Sequence, residues 1–384
     1  MTIHTLEATH LGPIEHAQVR FGDLTVFVGP QATGKSILVQ FFKLLVDSGA
    51  IVAEMKRQGL DWEKQLEPFL DIYLGEGMSS VWNNGQSTIR VNDQEIDPKK
   101  LIARHGNAEE SLFFIPAQRV LTLSRGWPRP FSDYSPGDPF VVRDFSEKIR
   151  RLMESPDFAH RGSLFPRTRW LKPEFRDLFQ KTIFGKFGLR VDSSRGQKRL
   201  VLSSSNASNP LPFMVWSSGQ REFIPLLLGF YCLSQLFHTP RLESRWAVIE
   251  EPEMGLHPQA ISAVLLPVLE LLCWNYRVCL STHSPHVLDL VWALKVFQQN
   301  HASPEKLLEL FEIRATPNLK ALATEILQKD ARVYYFDPKS HETKDISELD
   351  PGSEDIAMSG WGGLTEFSGR VGDVVADVVN GSTR

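Results

Sequence analysis

The chain has 384 residues, 42% of them hydrophobic, so it can bury one large core or two ordinary ones. Its longest apolar runs, such as 223–237, are interrupted by proline, glycine and polar residues, which excludes the roughly 20 apolar residues of a membrane span, and the N-terminus lacks the pattern of an export signal. The formal net charge is −4, but the charged residues are unevenly distributed along the chain. We expect a globular protein of the cytoplasm.

The first predicted elements lead into a glycine-rich loop. Residues 3–11, 14–21 and 24–28 are predicted strands. The third strand enters a segment that matches G-x-x-x-x-G-K-[ST] in full, and apolar residues at helical spacing follow it. This strand–loop–helix context predicts a phosphate-binding loop, in which Lys35 contacts the β and γ oxygens and the Ser36 hydroxyl binds Mg²⁺. The loop consists of Gly29, Pro30, Gln31, Ala32, Thr33, Gly34, Lys35 and Ser36.

A strand pair and a buried strand are predicted next. Residues 87–91 and 94–96 are separated by Asn and Asp, which indicates a hairpin. The apolar residues 113–115 predict a buried strand that ends just before Gln118. If that strand lies beside the strand that enters the phosphate-binding loop, Gln118 is expected next to Mg²⁺.

Residues 121–209 differ in composition from the rest of the chain. Proline-rich residues 127–139 and Ser/Asn/Pro-rich residues 203–212 bracket a segment that we expect to be a basic, mainly helical insertion. Residues 119–199 contain 18 Lys and Arg against 9 Asp and Glu. Such a segment can bind nucleic acid or an acidic partner, or its cations can pair with acidic groups of the same chain.

Helices and strands alternate after residue 219. Helices are predicted at 220–237, 258–273 and 285–299, with strands at 246–250 and 277–281, which implies a parallel sheet covered on both faces. One further strand from residue 332, an acidic connection and a closing helix from residue 363 complete the chain. The three cysteines lie in apolar surroundings, so we expect reduced, buried thiols: Cys232, Cys273 and Cys279.

Three ionisable residues follow the two strands of this part of the chain. Glu250 and Glu251 end the first strand, where one carboxylate can hold Mg²⁺ and the other can polarise an attacking water. The alternative is a solvated acidic strand end. His283 follows the second strand, where an imidazole can face the γ-phosphate, although a single histidine is more often structural.

Five segments together resemble an ABC-type ATPase head of the soluble group that includes the SMC, RecF and OLD-family proteins. They are GPQATGKS, PAQR, WSSGQRE, VIEEPEMGLHP and STHSPH, and the resemblance covers residues 1–120 and 210–290. It implies an α/β fold with a mixed or parallel core sheet, an N-terminal antiparallel β part and a helical insertion. The ATPase core would comprise residues 1–120 and 210–384, and residues 121–209 would form the insertion.

The resemblance also assigns a role to each site residue. The loop 29–36 would be the Walker A motif, Gln118 the Q-loop glutamine and Glu250 the Walker B acid. Glu251 would be the catalytic glutamate, and His283 the switch histidine. In this family the signature motif contacts the γ-phosphate of ATP held by the opposite subunit, which implies a homodimer or higher homo-oligomer around ATP and Mg²⁺. The signature residues would be Ser217, Gly219 and Gln220.

The departures from the family pattern narrow the expected role. Glu250 replaces the usual aspartate, and the Glu-Glu-Pro-Glu form is more similar to OLD-like ATPases than to transporters, so we expect no membrane partner. The acidic tail residues fall in a polar connection that is too short for the Toprim nuclease domain of OLD proteins. We interpret them as a solvated loop: Asp337, Asp345, Asp350, Glu354 and Asp355.

The expected function is therefore an ATP-hydrolysing switch that dimerises on ATP and regulates a separate effector protein. The resemblance suggests a nuclease or toxin of antiphage defence as that effector. The alternative is a RecF-like repair or maintenance ATPase, in which the basic insertion binds DNA through its phosphates.

Overall fold

A computed structural model describes residues 3–103, 109–159, 163–167, 171–193, 196–204, 209–237 and 245–381. Its sixteen strands are β1 (Thr5–Leu11), β2 (Ile14–Arg20), β3 (Leu24–Val28), β4 (Thr88–Val91), β5 (Gln94–Glu95), β6 (Leu112–Ile115), β7 (Leu123–Ser124), β8 (Trp127–Pro128), β9 (Ser163–Phe165), β10 (Gly188–Asp192), β11 (Arg199–Ser203), β12 (Leu211–Pro212), β13 (Arg245–Glu250), β14 (Tyr276–Thr282), β15 (Ala331–Phe336) and β16 (Thr343–Asp345).

Thirteen α-helices connect and cover these strands in the described part of the chain. They are α1 (Lys35–Arg57), α2 (Leu66–Leu74), α3 (Pro98–Ile102), α4 (Phe140–Glu154), α5 (Pro156–Ala159), α6 (Pro173–Phe179), α7 (Ser218–Phe237), α8 (Pro258–Cys273), α9 (Pro285–Gln299), α10 (Pro304–Leu310), α11 (Pro317–Ile326), α12 (Ile356–Ser359) and α13 (Glu366–Gly381).

The central sheet has six strands in the order β16-β15-β3-β14-β13-β6. All neighbouring pairs are parallel except β15 with β16. Every residue of β3 is buried, as expected for a strand that is covered on both faces. Val26 and Val28 pack into one hydrophobic core and Phe27 into the other, so the sheet separates two apolar layers. The expected α/β class is confirmed.

The position of β6 corrects one prediction about Gln118. β6 pairs in parallel with β13 at the edge of the sheet, while β3 lies between β14 and β15. Gln118 was expected beside Mg²⁺ on the condition that this strand lies next to β3, and that condition was wrong. The sequence predicted a buried strand at residues 113–115, and the structure has it at Leu112–Ile115, but the neighbour of a parallel strand is set by packing between distant segments.

The N-terminal part forms a separate antiparallel sheet in the order β2-β1-β4-β5. This sheet packs with α1 and α2 in one of the two cores, and the predicted hairpin of β4 and β5 is confirmed. Helix α1 is long and apolar enough to cross a membrane by composition alone, but 67% of its most apolar window is buried inside the protein. It is the core helix behind the phosphate-binding loop.

The basic segment contains a sheet that the expectation of a mainly helical insertion missed. Helices α4 and α6 are accompanied by a four-stranded antiparallel sheet in the order β12-β11-β10-β9. Strands β10 and β11 have five residues each, and residues 193–198 connect them. Runs of this length carry little periodic signal, so sequence alone did not separate them from helix. Residues 160–162, 168–170, 194–195 and 205–208 of the segment lie outside the described residues.

The acidic tail residues form turns and caps. Asp337 pairs with Lys344 at 2.7 Å, and Asp355 caps α12 by accepting a hydrogen bond from the Ala357 N–H. Asp350 accepts a hydrogen bond from the Gly352 N–H in a local turn. Within the described ranges, no group of three or more His, Cys, Asp or Glu side chains is placed to hold a metal ion.

Candidate functional site

The phosphate-binding loop connects β3 to α1 in the conformation that its motif demands. Gly34 has a φ of 94°, and a Cβ at this position would lie 2.6 Å from Cγ1 of Ile14, so only glycine fits. The Lys35 ammonium donates hydrogen bonds to the carbonyls of Gly29 at 2.8 Å and Pro30 at 2.6 Å. The lysine is thus folded over the loop that a phosphate would occupy, ready to exchange carbonyl partners for phosphate oxygens.

Burial changes the charge balance of Lys35. The side chain is 6% exposed, and burial lowers its pKa to about 8 although Glu251 and Glu250 favour the charged form. A bound phosphate would add negative charge beside the ammonium and raise the pKa again.

Glu250 ends β13 inside the protein and faces the start of α1. One of its oxygens, Oε2, accepts a hydrogen bond from the Ala117 N–H at 3.3 Å, and the carboxylate also interacts with the Ser36 hydroxyl. The other oxygen, Oε1, is buried and has no hydrogen-bond partner among the residues that the structure describes. Burial raises the pKa of Glu250 to about 7, while the hydrogen bonds from Ser36 and Ala117 lower it.

Glu251 and His283 lie side by side at the ends of neighbouring strands. Glu251 has a φ of 44°, which turns the chain so that consecutive glutamates both reach the site. Its carboxylate lies 3.6 Å from Nε2 of His283, and about a quarter of each side chain is exposed. Burial lowers the pKa of His283, and the Lys35 charge lowers it further. A neutral imidazole beside an accessible carboxylate can orient a water molecule.

A third glutamate holds the histidine loop in place. Glu253 accepts hydrogen bonds from the Thr282 hydroxyl at 2.8 Å and from the His283 backbone N–H at 2.6 Å. Burial raises the pKa of Glu253. Glu253 therefore fixes the position of His283 relative to the end of β13.

Arg119 connects the three segments that surround the glutamates. Its guanidinium is fully buried and donates to the backbone carbonyls of Glu250 at 2.9 Å, Glu251 at 3.0 Å and Glu222 at 3.1 Å. The Glu222 carboxylate lies 3.9 Å from Nε of Arg119. Gln118, by contrast, is exposed, and the backbone N–H of its neighbour Ala117 donates to the Glu250 carboxylate. One arginine thus ties the end of β13 to helix α7.

The residues of the signature element form the N-terminus of α7. Ser217 and Gln220 bond each other reciprocally, each backbone N–H donating to the other side chain at 3.2 Å, which is a capping box. A Cβ on Gly219 would lie 3.0 Å from the carbonyl of Gly255, so a side chain here would push α7 away from the loop that follows β13. Among the described residues, neither a hydrogen bond nor an ion pair joins these residues to the phosphate-binding loop of the same chain.

A cavity of about 480 Å³ lies beside the phosphate-binding loop. Gly29, Pro30 and His283 form one wall, and the chain from the end of β15 to the start of α13 supplies the other, including Tyr335 and Lys344. The segment that sequence analysis treated as a solvated connection is therefore a wall of the site region.

The sequence profile of a known family, described as "AAA domain, putative AbiEii toxin, Type IV TA system", matches residues 24–289, which is more than half of the chain and spans the site. The chain belongs to this AAA-domain family. The resemblance to ABC-type P-loop ATPases is confirmed at this level. No curated protein sequence matches the chain.

Three solved structures are similar to this AAA-domain protein. A structure of the SmcHead bound to the C-winged helix domain of ScpA has 11% sequence identity and a TM-score of 0.42, covering 90% of this chain and 97% of that one. The SMC head domain from Thermotoga maritima has 10% identity and a TM-score of 0.34 over 90% and 98%. CbiO1 from Clostridium perfringens, part of the ABC transporter complex cbiONQ, has 12% identity and a TM-score of 0.32 over 74% and 80%.

The residues of this AAA-domain protein fit a divalent cation. A hydroxyl and a carboxylate are the oxygen ligands that Mg²⁺ uses beside substrate phosphates. Ser36 and Glu250 supply them, and the buried Oε1 of Glu250 lacks a hydrogen-bond partner among the described residues. A cation at this position would stabilise the ionised form of Glu250, which burial alone disfavours.

Sequence reasoning missed Arg119 and Glu253 as parts of the site. Both lie inside segments that carried other predictions, PAQR and VIEEPEMGLHP, but in these segments only Gln118, Glu250 and Glu251 were assigned a role. Arg119 lies four residues beyond the end of β6, where no local pattern marks it. Its partners lie more than 100 residues away in sequence, so the contact itself could not be predicted.

Proposed function

We propose that the protein binds ATP with Mg²⁺ at the loop 29–36 and hydrolyses it to ADP and phosphate. The proposal rests on two neighbouring carboxylates beside Lys35 and Ser36. Glu250 is buried and one of its oxygens has no hydrogen-bond partner among the described residues, whereas Glu251 is accessible. The first can hold a metal and the second can position water. Phosphoryl transfer needs this combination of positioning and charge stabilisation.

Each residue of the site has a distinct task in this proposal. Ser36 and Glu250 would hold Mg²⁺, with Gln118 as a further candidate, and the metal would neutralise charge on the β and γ oxygens. The Glu251 carboxylate accepts a proton from the attacking water. His283, neutral because burial lowers its pKa, hydrogen-bonds near the γ-phosphate, and Glu253 positions it.

We propose further that a second copy supplies Ser217, Gly219 and Gln220 to the ATP held by the first. Large apolar side chains that face solvent directly precede the signature element: Met214 is 72% exposed and Val215 61%. Leu121, in the turn that contacts α7, is 58% exposed. The N-terminus of a helix is also a favourable place for the γ-phosphate of a nucleotide. Exposed apolar side chains next to a helix N-terminus favour closure on another surface.

A separate effector protein is the proposed target of this ATPase cycle. The family description names a toxin of a toxin–antitoxin system, which supports a role in a two-component defence or toxin system. Beside the candidate ATP site, the part of the chain that the structure describes offers no group of three or more His, Cys, Asp or Glu side chains that could hold a metal ion. The activity of the effector protein, measured with purified candidates, should therefore change only when this chain and ATP are both present.

The DNA-binding alternative receives less support from the structure. Cations of the basic segment pair within the chain: Arg150 and Arg151 pair with Glu147, Lys148 with Asp144, and Arg199 with Asp192. Lys172 pairs with Glu270 of α8. These five cations pair with acidic groups of the same chain, which favours an intramolecular role for part of the segment's positive charge.

Three variants test the proposed chemistry. Lys35→Ala should abolish nucleotide binding, because the charge that contacts the β and γ oxygens is lost. Glu251→Gln should bind ATP normally and hydrolyse it at least a hundredfold more slowly, about 3 kcal/mol in the barrier. Ser217→Arg should bind nucleotide and fail to hydrolyse it. Fluorescent nucleotide titration and phosphate release give both quantities, and wild-type turnover by Glu251→Gln would show that the base is another residue.

A further inference from the structure

Helix α13 carries a continuous apolar face that is exposed to solvent. Every described side chain from 366 to 379 is exposed. Phe367, Val371, Val374 and Val378 follow one another at spacings of four, three and four residues, and they are between 44% and 72% exposed. This spacing is the seam of a heptad pattern, which is typical of two helices that pack side by side.

The composition of α13 makes it a poor helix in isolation. Gly369 and Gly372 lie inside it and each costs about 1 kcal/mol relative to alanine. The valines lose side-chain freedom in a helix, and isolated helices of this length are marginal in water. Packing of the apolar face is therefore the interaction that can stabilise the helix.

We propose that α13 of one chain packs antiparallel against α13 of a second copy. Such a contact is isologous, because the same face of each helix is used. With Val371 of one helix beside Val374 of the other, Phe367 of each lies beside Val378 of the other. The two apolar stripes then cover each other over the length of the helix.

Charge complementarity favours a second copy of α13 as the partner and an antiparallel direction of packing. Arg370 and Asp377 lie on the same flank of the seam, one heptad apart. In the antiparallel pair, Arg370 of each helix faces Asp377 of the other, which gives two ion pairs. In a parallel pair, Arg370 would face Val375 of the second helix. Within its own helix Arg370 has only an exposed contact with Glu366 at 4.0 Å, which is worth little.

A membrane surface fits the helix less well. Helices that lie on membranes carry lysine and arginine on their polar face, because lipid headgroups are commonly anionic. The polar positions of α13 include Asp373 and Asp377. Two short helices bury less surface than a stable dimer needs, so the contact is weak and depends on protein concentration.

Sedimentation of the full-length protein without nucleotide tests the contact. The wild type should show a monomer–dimer equilibrium over a micromolar concentration series. The double variant Val371→Asp, Val374→Asp should raise the dimer dissociation constant at least tenfold. Ala376→Asp places the same charge on the opposite face of the helix and is the matched control, which should leave the equilibrium unchanged.

A charge exchange tests the direction of packing. Arg370→Asp should weaken the dimer because like charges then face each other, and adding Asp377→Arg in the same chain should restore it. Nucleotide titration confirms that each variant is folded. A wild type that stays monomeric throughout the series, or a double variant that dimerises as the wild type does, would overturn the proposal. Monomeric wild type that binds phospholipid vesicles through Val371 and Val374 would also overturn it, in favour of a membrane.

The outcome can be separated from that of the proposed ATP-dependent closure. In the Val371→Asp, Val374→Asp background, adding Glu251→Gln and ATP should still produce a dimer through the signature element. A nucleotide-free dimer without ATP-dependent closure supports α13 pairing alone. ATP-dependent closure without a nucleotide-free dimer contradicts α13 pairing and supports the proposed function.

Discussion

Arg119 shows how one buried charge can organise residues from distant parts of the chain. It donates to carbonyls at the end of β13 and in the second turn of α7, and the Glu222 carboxylate lies close enough to balance its charge. A buried carbonyl that loses its donor costs about 1–3 kcal/mol. The guanidinium therefore couples the position of the signature helix to that of Glu250 and Glu251.

The variant Arg119→Lys should uncouple these segments while it keeps the positive charge. Lysine has one donor group on a flexible stem and cannot reach three separate carbonyls. We expect a loss of about 2–4 kcal/mol in the free energy of unfolding, from the unpaired carbonyls. We also expect kcat to fall at least tenfold, with nucleotide affinity retained. Urea unfolding and steady-state phosphate release measure the two effects.

Arg90→Lys is the control for this substitution, because the Arg90 side chain is 47% exposed and lies 3.8 Å from Glu7 in the N-terminal sheet. It should change both quantities little. If Arg119→Lys loses stability but keeps the wild-type kcat, Arg119 has a structural role only.

The site residues that sequence predicted share a property that Arg119 lacks. Lys35 and Ser36 act within one loop, and Glu250 and Glu251 are consecutive. Their proximity in sequence therefore largely determines how they lie relative to each other. Glu253 and Arg119 act through contacts with segments that are distant in sequence. The direct contact of Ala117 with Glu250 uses a backbone N–H, which no residue type reveals.

At the scale of elements, a charged cluster fastens α1 to α4 and to the segment before β6. Lys43 of α1 pairs with Asp47 at 2.7 Å and also with Glu110, while Lys148 of α4 pairs with Asp144 at 2.6 Å and with Glu110 as well. Burial alone would raise the pKa of Glu110, but the charges of Lys148 and Lys43 outweigh it and lower the pKa to about 2. Glu110 therefore holds two helices together in its ionised form.

This shift predicts how stability depends on pH. Because the folded pKa of Glu110 is below the unfolded value of 4.5, its stabilisation is present above about pH 5 and is lost as pH falls toward 2. The side chain is 31% exposed, so Glu110→Gln should cost about 1–2 kcal/mol at pH 7. Urea unfolding at a series of pH values should show the difference from wild type shrinking as pH falls from about 5 toward 2.

Glu154→Gln is a suitable comparison, since Glu154 forms an exposed pair with Arg150. Its effect on the free energy of unfolding should be small at every pH. A difference between Glu110→Gln and wild type that stays constant down to pH 3 would contradict the assignment of the cluster.

The elements of the core were predictable and their arrangement was less so. Helices α8 and α9 begin and end where their apolar spacing and N-terminal prolines place them. The order of β6 and β13 in the sheet depends on which layers pack together, and no local pattern encodes it. Strands β10 and β11 were missed because their pairing, not their composition, makes them strands.

At the scale of the whole molecule, two contacts between copies are proposed, and they serve different steps. Pairing of α13 would keep two chains near each other without nucleotide. Two chains that are joined through α13 present their ATP sites to each other at a high effective concentration. A weak contact between the helices can therefore favour the ATP-dependent contact, even if that contact is weak by itself. The signature element would then complete a site that one chain holds only in part.

Mixing two inactive variants tests this shared site most directly. Lys35→Ala lacks the phosphate-binding lysine but keeps its signature element, and Ser217→Arg has the opposite defect. Neither should hydrolyse ATP alone. In mixed dimers, the phosphate-binding loop of the Ser217→Arg chain meets an intact signature element from the Lys35→Ala chain, so mixing should restore phosphate release. If the mixture stays as inactive as each variant alone, under conditions where the chains exchange, the claim that two copies share one ATP site is contradicted.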